Sequence, residues 1–160
     1  MHMSTLNIKA NSIPQRQRGA AAVEFALVII PLLMIVAGII EFGRTFWYYD
    51  ALAKSTRDAA RYVSNSRANP APALAVDNAV KDDAKAMVLT AVNAANVPDF
   101  LIDYVDVTCD PVDCVTPSYV TVSIEDYPIT IGSWIPIIIP TGAKTWSTTL
   151  TTATTMRYMK

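Results

Sequence analysis

An apolar run near the start of this chain limits what it can fold into more than any other feature. From Ala20 it reads AAAVEFALVIIPLLMIVAGIIEFGRTFWYY. Phe25 to Ile40 is 16 residues without a charge, and Ala20 to Ile40 is 21 residues with one, Glu24. At about 1.5 Å of rise per residue, such a helix spans about 31 Å, which matches a hydrocarbon core about 30 Å thick. The run predicts a transmembrane helix over 20–42. A core helix apolar all round needs a larger protein around it than 160 residues provide. A cleaved secretory signal is followed by small residues and an A-x-A-like site. Here Glu41, Phe42, Gly43 and Arg44 follow, then Phe46-Trp47-Tyr48-Tyr49, an aromatic cluster suited to a membrane–water interface.

Two residues stand out within the run. Pro31 removes a backbone donor and crowds the preceding turn, so it predicts a kink. Glu24 has two readings. A charge at the bilayer centre costs about 2.5–3.5 kcal/mol on insertion scales, which makes an intramembrane carboxylate a functional candidate. Alternatively the span begins at Phe25 and Glu24 lies among headgroups near a helix N-terminus. Lys9, Arg16 and Arg18 precede the run, while Arg44, Lys54 and Arg57 follow it. The positive-inside rule therefore leaves orientation open.

The run R-G-A-A-A-V-E-F, from Arg18 to Phe25, resembles the processing site of type IV pilin-like proteins. With the proline inside the apolar run, the E-F-G-R that ends it and the A-A-R-Y further on, residues 18–63 resemble the TadE-type pseudopilins of the tight-adherence (Flp) pilus machinery. The resemblance implies that residues 1–19 are a cytoplasmic leader, with Gly19 its last residue and Ala20 the new N-terminus left by a prepilin peptidase. It implies that Glu24 pairs with the N-terminal amine of a neighbouring subunit. It places the span in the inner membrane and the rest in the periplasm, with passage into an extracellular pilus a further possibility. The implied partners are the membrane, prepilin peptidase, other Tad pseudopilins, the major Flp pilin and the inner-membrane assembly platform. No motif in the C-terminal part separates TadE from its sister TadF.

Beyond the span, Ala51, Ser55, Ala59 and Tyr62–Val63 fall at helical spacing among Lys54, Arg57, Asp58 and Arg61. Residues 43–69 are expected to form a helical stalk and linker that presents a domain away from the membrane. An ordinary amphipathic helix packed on its own domain is the other reading. Residues 70–160 are expected to form the extracytoplasmic α+β domain. In it, Ala73 to Ala95 carries Val76, Val80, Ala84, Met87 and Ala91 on one helical face. Three strands are expected, over Leu101–Cys109, Tyr119–Ile124 and Lys144–Tyr158, in a small antiparallel sheet. The last of them places Trp146, Leu150, Met156 and Tyr158 on one parity.

Cys109 and Cys114 enclose four residues, neither a C-x-x-C redox motif nor half of a zinc site with visible partners. Outside the cytoplasm a disulfide is expected, worth about 2 kcal/mol for so small a loop. Seven acids from Asp99 to Asp126, with no Lys or Arg among them, form a solvated acidic face or, less simply, a calcium site. Trp134, Ile135, Ile137, Ile138 and Ile139 lie between prolines. That segment is either tucked into the core or exposed as a contact patch for another component.

The composition agrees with a tethered, non-enzymatic part. Apolar residues reach 52% and charged residues 17%, against about 45–50% and 25% in soluble domains, and the excess is local to the span. A net charge of -1 offers no basic excess for nucleic acid. The single histidine, His2, leaves no Ser-His or Cys-His pair, and no nucleotide-binding or hydrolase motif appears. No enzymatic activity, cofactor, metal or small-molecule substrate is expected. The reading is a minor pilin-like subunit acting in pilus priming, at the tip or in the platform. The alternative is an unprocessed, single-span periplasmic binding or adhesion module.

Overall fold

The computed structural model describes residues 15–66, 76–112, 114–132 and 146–159. In order they form helix α1 (Gln15–Asn65), helix α2 (Asn78–Ala94), a 3-10 turn (Ile102–Tyr104) and strands β1 (Val105–Asp110), β2 (Tyr119–Ile131) and β3 (Trp146–Arg157). The chain divides into two units between Gly38 and Ile39. The first holds the apolar part of α1, with every side chain but that of Ile29 exposed from Val23 to Val36. The second holds the α+β architecture expected from the sequence.

In the second unit the three strands form an antiparallel sheet in the order β1-β2-β3, with helices on one face. The inward face of α1 is Leu52, Ser55, Thr56, Ala59, Ala60, Val63 and Ser64, all buried, at i, i+3, i+4, i+7 and i+8 spacing. Most of these side chains are small, so the helix lies close to the sheet. Its buried hydroxyls bond within the preceding turn, Ser55 to the Leu52 carbonyl and Thr56 to that of Ala53. Thr56 also meets Thr154 of β3, oxygen to oxygen at 3.2 Å. Of the two readings of this segment, the helix packed on its own domain is the one seen: the inner face from Leu52 to Ser64 is a wall of the core.

α2 contributes Ala84, Val88 and Val92 to the same core, whereas Met87 and Ala91, expected on that face, are exposed because the buried positions step by four along the helix. Its start is capped by Asp77, whose carboxylate accepts from the Val80 N–H at 2.9 Å. Its end is a Schellman motif. Asn96 takes a left-handed φ of 55°, its N–H bonds the Asn93 carbonyl, and the Val97 N–H bonds that of Val92. Val92 and Val97 are both buried, supplying the apolar contact that accompanies this motif.

β1 runs Val105, Val107 and Cys109 inward, with Asp106, Thr108 and Asp110 outward. β2 continues seven residues past the Ile124 at which its alternation breaks. One extra residue between Ile124 and Tyr127 bulges out of the ladder, with Asp126 at φ 51°. The bulge changes the parity: Val120, Val122 and Ile124 face the core before it, Tyr127 and Ile129 after it. Pro128 is accommodated beyond the bulge because, among the described residues, β2 there pairs with β3 alone.

Cys109 and Cys114 are disulfide-bonded across the β1–β2 connection and are both buried. The Cys114 carbonyl accepts from the Val76 N–H at 2.9 Å, tying this loop to the approach to α2. Reducing the bond is expected to lower unfolding stability by about 2 kcal/mol without loss of secondary structure. Leu52→Ala is expected to cost more, about 2–5 kcal/mol. Both are checked by urea unfolding of the detergent-solubilised chain, followed by near- and far-ultraviolet dichroism.

Candidate functional site

α1 carries the functional candidates of the N-terminal region. Gly19, Ala20 and Glu24 all lie within it, and all three are exposed. Pro31 lies within it as well, and the helix runs on through that residue. Val23, Phe25, Leu27, Val28, Ile30, Leu32, Leu33 and Ile35 present exposed apolar side chains around Glu24 and beyond it. The helix is long and apolar enough to cross a membrane, and none of its most apolar window is buried. Trp134, Ile135, Ile137, Ile138 and Ile139 lie outside the described residues.

A second site sits where the apolar run ends, and sequence reading gave its central residue no role of its own. Glu41 is only 3% exposed. Its Oε1 accepts from the Arg44 guanidinium at 2.8 Å and from the backbone N–H of Gly132 at 2.9 Å. Gly132 follows the last residue of β2 and holds a φ of 93°, a conformation that glycine adopts without strain. One carboxylate thus ties the first turn after the apolar run to the end of a strand 91 residues away. A buried carboxylate is tolerable when its oxygens are paired in this way. The Arg44 guanidinium also lies over the Tyr48 ring, 5.9 Å from its centre. The local signal was an acid at the end of an apolar run with an arginine three residues on, a helical i,i+3 pair. The distant strand partner left no trace in the sequence.

Beside this site a cavity of about 240 Å³ is lined by Arg44, Tyr48, Asp99, Tyr127 and Thr130, among others. Tyr127 is buried and donates its hydroxyl to the Pro98 carbonyl. Phe100 and Tyr104 pack against its ring, with centres 5.4 and 5.7 Å away. Burial, and after it the Asp99 carboxylate, pushes the Tyr127 phenol up to about 12. Among the described residues no group of three or more His, Cys, Asp or Glu side chains is placed to hold a metal ion.

Two outcomes follow from this geometry. Glu41→Ala removes the acceptor that fixes the Gly132 N–H and pairs with Arg44 and is expected to cost about 1–3 kcal/mol. Glu41→Gln keeps an acceptor but no charge and is expected to fall between it and the parent; urea midpoints rank the three. For Tyr127 the folded value lies above the unfolded one near 10. Its contribution is therefore complete below pH 10 and is lost as pH rises through about 12. Absorbance titration at the phenolate band is expected to show a late-ionising tyrosine that Tyr127→Phe removes.

Comparison with known families adds a match on α1 alone. The model of the family described as TadE-like protein matches residues 19–61. No curated protein and no solved structure matches the chain. The helical segment from Gly19 to Arg61 is thus similar to TadE-like proteins, which is consistent with a TadE-type pseudopilin of Tad pili.

Proposed function

We propose that this chain is a pilin-like subunit of a Tad pilus system. In this reading it is made with a cytoplasmic leader over 1–19, anchored in the inner membrane through 20–42, and exposed to the periplasm beyond. One observation carries the reading: the TadE-like match falls on a single helix that bears Gly19-Ala20 near its start and Glu24 within an exposed apolar surface. A surface of that kind is suited first to lipid and then to the helices of neighbouring subunits.

The chemistry of each residue fits such a role. Glycine before the cut leaves the backbone open to a peptidase. Cleavage between Gly19 and Ala20 creates a charged amine at the edge of the bilayer and makes Glu24 the fifth residue of the mature chain. An amine and a carboxylate that meet between subunits lower each other's cost in an apolar setting and fix the register of the helices. Pro31 gives the helix a place to bend during extraction from the membrane. The periplasmic unit then contacts the next component, with Trp134, Ile135, Ile137, Ile138 and Ile139 as the apolar candidate for that contact. Prepilin peptidase, other Tad pseudopilins, the major Flp pilin and the assembly platform are the partners of this reading. The role is non-enzymatic and belongs to pilus priming, the tip or the platform.

The test is the intact mass and N-terminal residue of the chain taken from its native membrane, with Gly19→Trp alongside. A chain that starts at Ala20, and keeps residues 1–19 when Gly19 is replaced, is the expected result. Glu24→Leu is expected to be processed and inserted normally yet to lose co-purification with its pilin partners. A native chain that retains residues 1–19 would overturn the reading in favour of a permanently anchored binding or adhesion module.

A further inference from the structure

β3 ends in a residue at odds with its surroundings. Trp146 begins a strand that continues Ser-Thr-Thr-Leu-Thr-Thr, and it is 78% exposed. Its parity is that of Leu150, Thr152 and Tyr158, which are half-buried or buried on the helix side of the sheet. Trp146 therefore points to the side on which α1 packs, but lies past the end of the core.

Its height along α1 follows from contacts within the folded unit. Thr154 meets Thr56, and nearer the chain end the Met159 N–H bonds the Ser64 carbonyl, so β3 and α1 run in the same direction. From Thr154 back to Trp146 is eight residues, or about 26 Å of strand. From Thr56 back to Glu41 is fifteen residues, or about 22 Å of helix. A second tie agrees: Trp146 pairs with Ile131, and the next residue, Gly132, is bonded to Glu41. Trp146 thus lies within about one helical turn of Glu41, level with the end of the apolar run. The α1 side chains at that level, Phe42, Phe46 and Trp47, are also large, apolar and exposed.

We infer that the Ile131–Trp146 end of the sheet is a second membrane contact, with Trp146 seated in the lipid interface beside Phe42, Phe46 and Trp47. Tryptophan favours this depth because its ring is apolar and its N–H still reaches water or headgroups. The occupant is a lipid surface because the patch continues the exposed apolar surface of α1 at Ile39 and Ile40. The Glu41–Gly132 hydrogen bond holds the sheet end at that height. The inference rests on the reading of residues 20–42 as a membrane span.

The test uses the full chain with Trp47→Phe and Trp134→Phe, leaving Trp146 as the only tryptophan. It is reconstituted in phosphatidylcholine vesicles with and without bromine on the upper acyl chain. Trp146 emission is expected to shift to the blue, to lose most of its intensity to brominated lipid and to resist aqueous iodide. Two further single-tryptophan chains set the frame: one keeps Trp47, the other carries Met159→Trp with the three native tryptophans made Phe. The first is expected to be quenched by bromine, and the second, at the far end of the unit, by iodide. If Trp47 is quenched by bromine and Trp146 by iodide, the span stands and the second contact is overturned. If neither Trp47 nor Trp146 responds to bromine, both fail together. Bromine quenching at Met159→Trp as well would overturn the assignment of the contact to the lower end.

Discussion

One helix in this protein has to satisfy two solvents. Up to Ile40 its surface is apolar, exposed and suited to lipid; from Leu52 its inner face is buried against a sheet and a second helix. A lipid-facing helix needs bulk and apolarity all round, whereas a helix against a sheet needs a narrow face of small side chains. α1 meets both demands by changing composition along its length. Leu, Ile, Val and Met fill the first part, and Ser55, Thr56, Ala59 and Ala60 form the close-packed face of the second. Between the two parts lie the aromatic residues and the Glu41–Arg44 pair. The hydroxyls that this small face buries are satisfied by its own carbonyls, so close approach leaves no orphaned donors there.

The Glu41 carboxylate closes one end of the folded unit. Its hydrogen bond to Gly132 ties α1 to the end of β2 with a single acceptor, and the Arg44 pair keeps the buried charge from standing alone. The tyrosine cluster around Tyr127 fills the space next to it with rings. The Glu41–Gly132 hydrogen bond and the fully buried Tyr127 thus sit near the same end of the sheet.

Much of the architecture was legible in the sequence, and the parts that were not share a cause. The apolar run, the three strands and the disulfide rest on short-range patterns, and these patterns survive folding; the face of α2 was read one residue off in its second half, where Val88 and Val92 rather than Met87 and Ala91 are buried. The second half of β2 was lost because the extra residue between Ile124 and Tyr127 breaks the alternation on which strand reading depends. Small residues at 55–60 fit a stalk as well as a core wall, so both readings of that helix stayed open in the sequence, and burial decides for the wall. The parity of β3 was readable, yet the exposure of Trp146 was not, since parity says nothing about where a core ends. Glu41 was visible as part of a motif, but its partner at Gly132 is set by tertiary structure. The resemblance to TadE-type proteins covered α1, and the family match covers the same helix; the sheet had to be reasoned from its own residues.

The bulge in β2 has a consequence for how the chain can change length. The bulge is the one residue by which β2 exceeds β3, so removing Glu125 or Asp126 would restore a regular ladder and leave every later side chain on its own face. Tyr127 and Ile129 would stay toward the core, still opposite Leu150 and Thr148. An insertion of one residue between Tyr127 and Ile129 would instead turn Ile129 outward. Substitution is another matter, because Glu125 and Asp126 are both exposed and only the second must tolerate a left-handed backbone. At this point the strand can lose a residue, or exchange one, without moving the core beyond it.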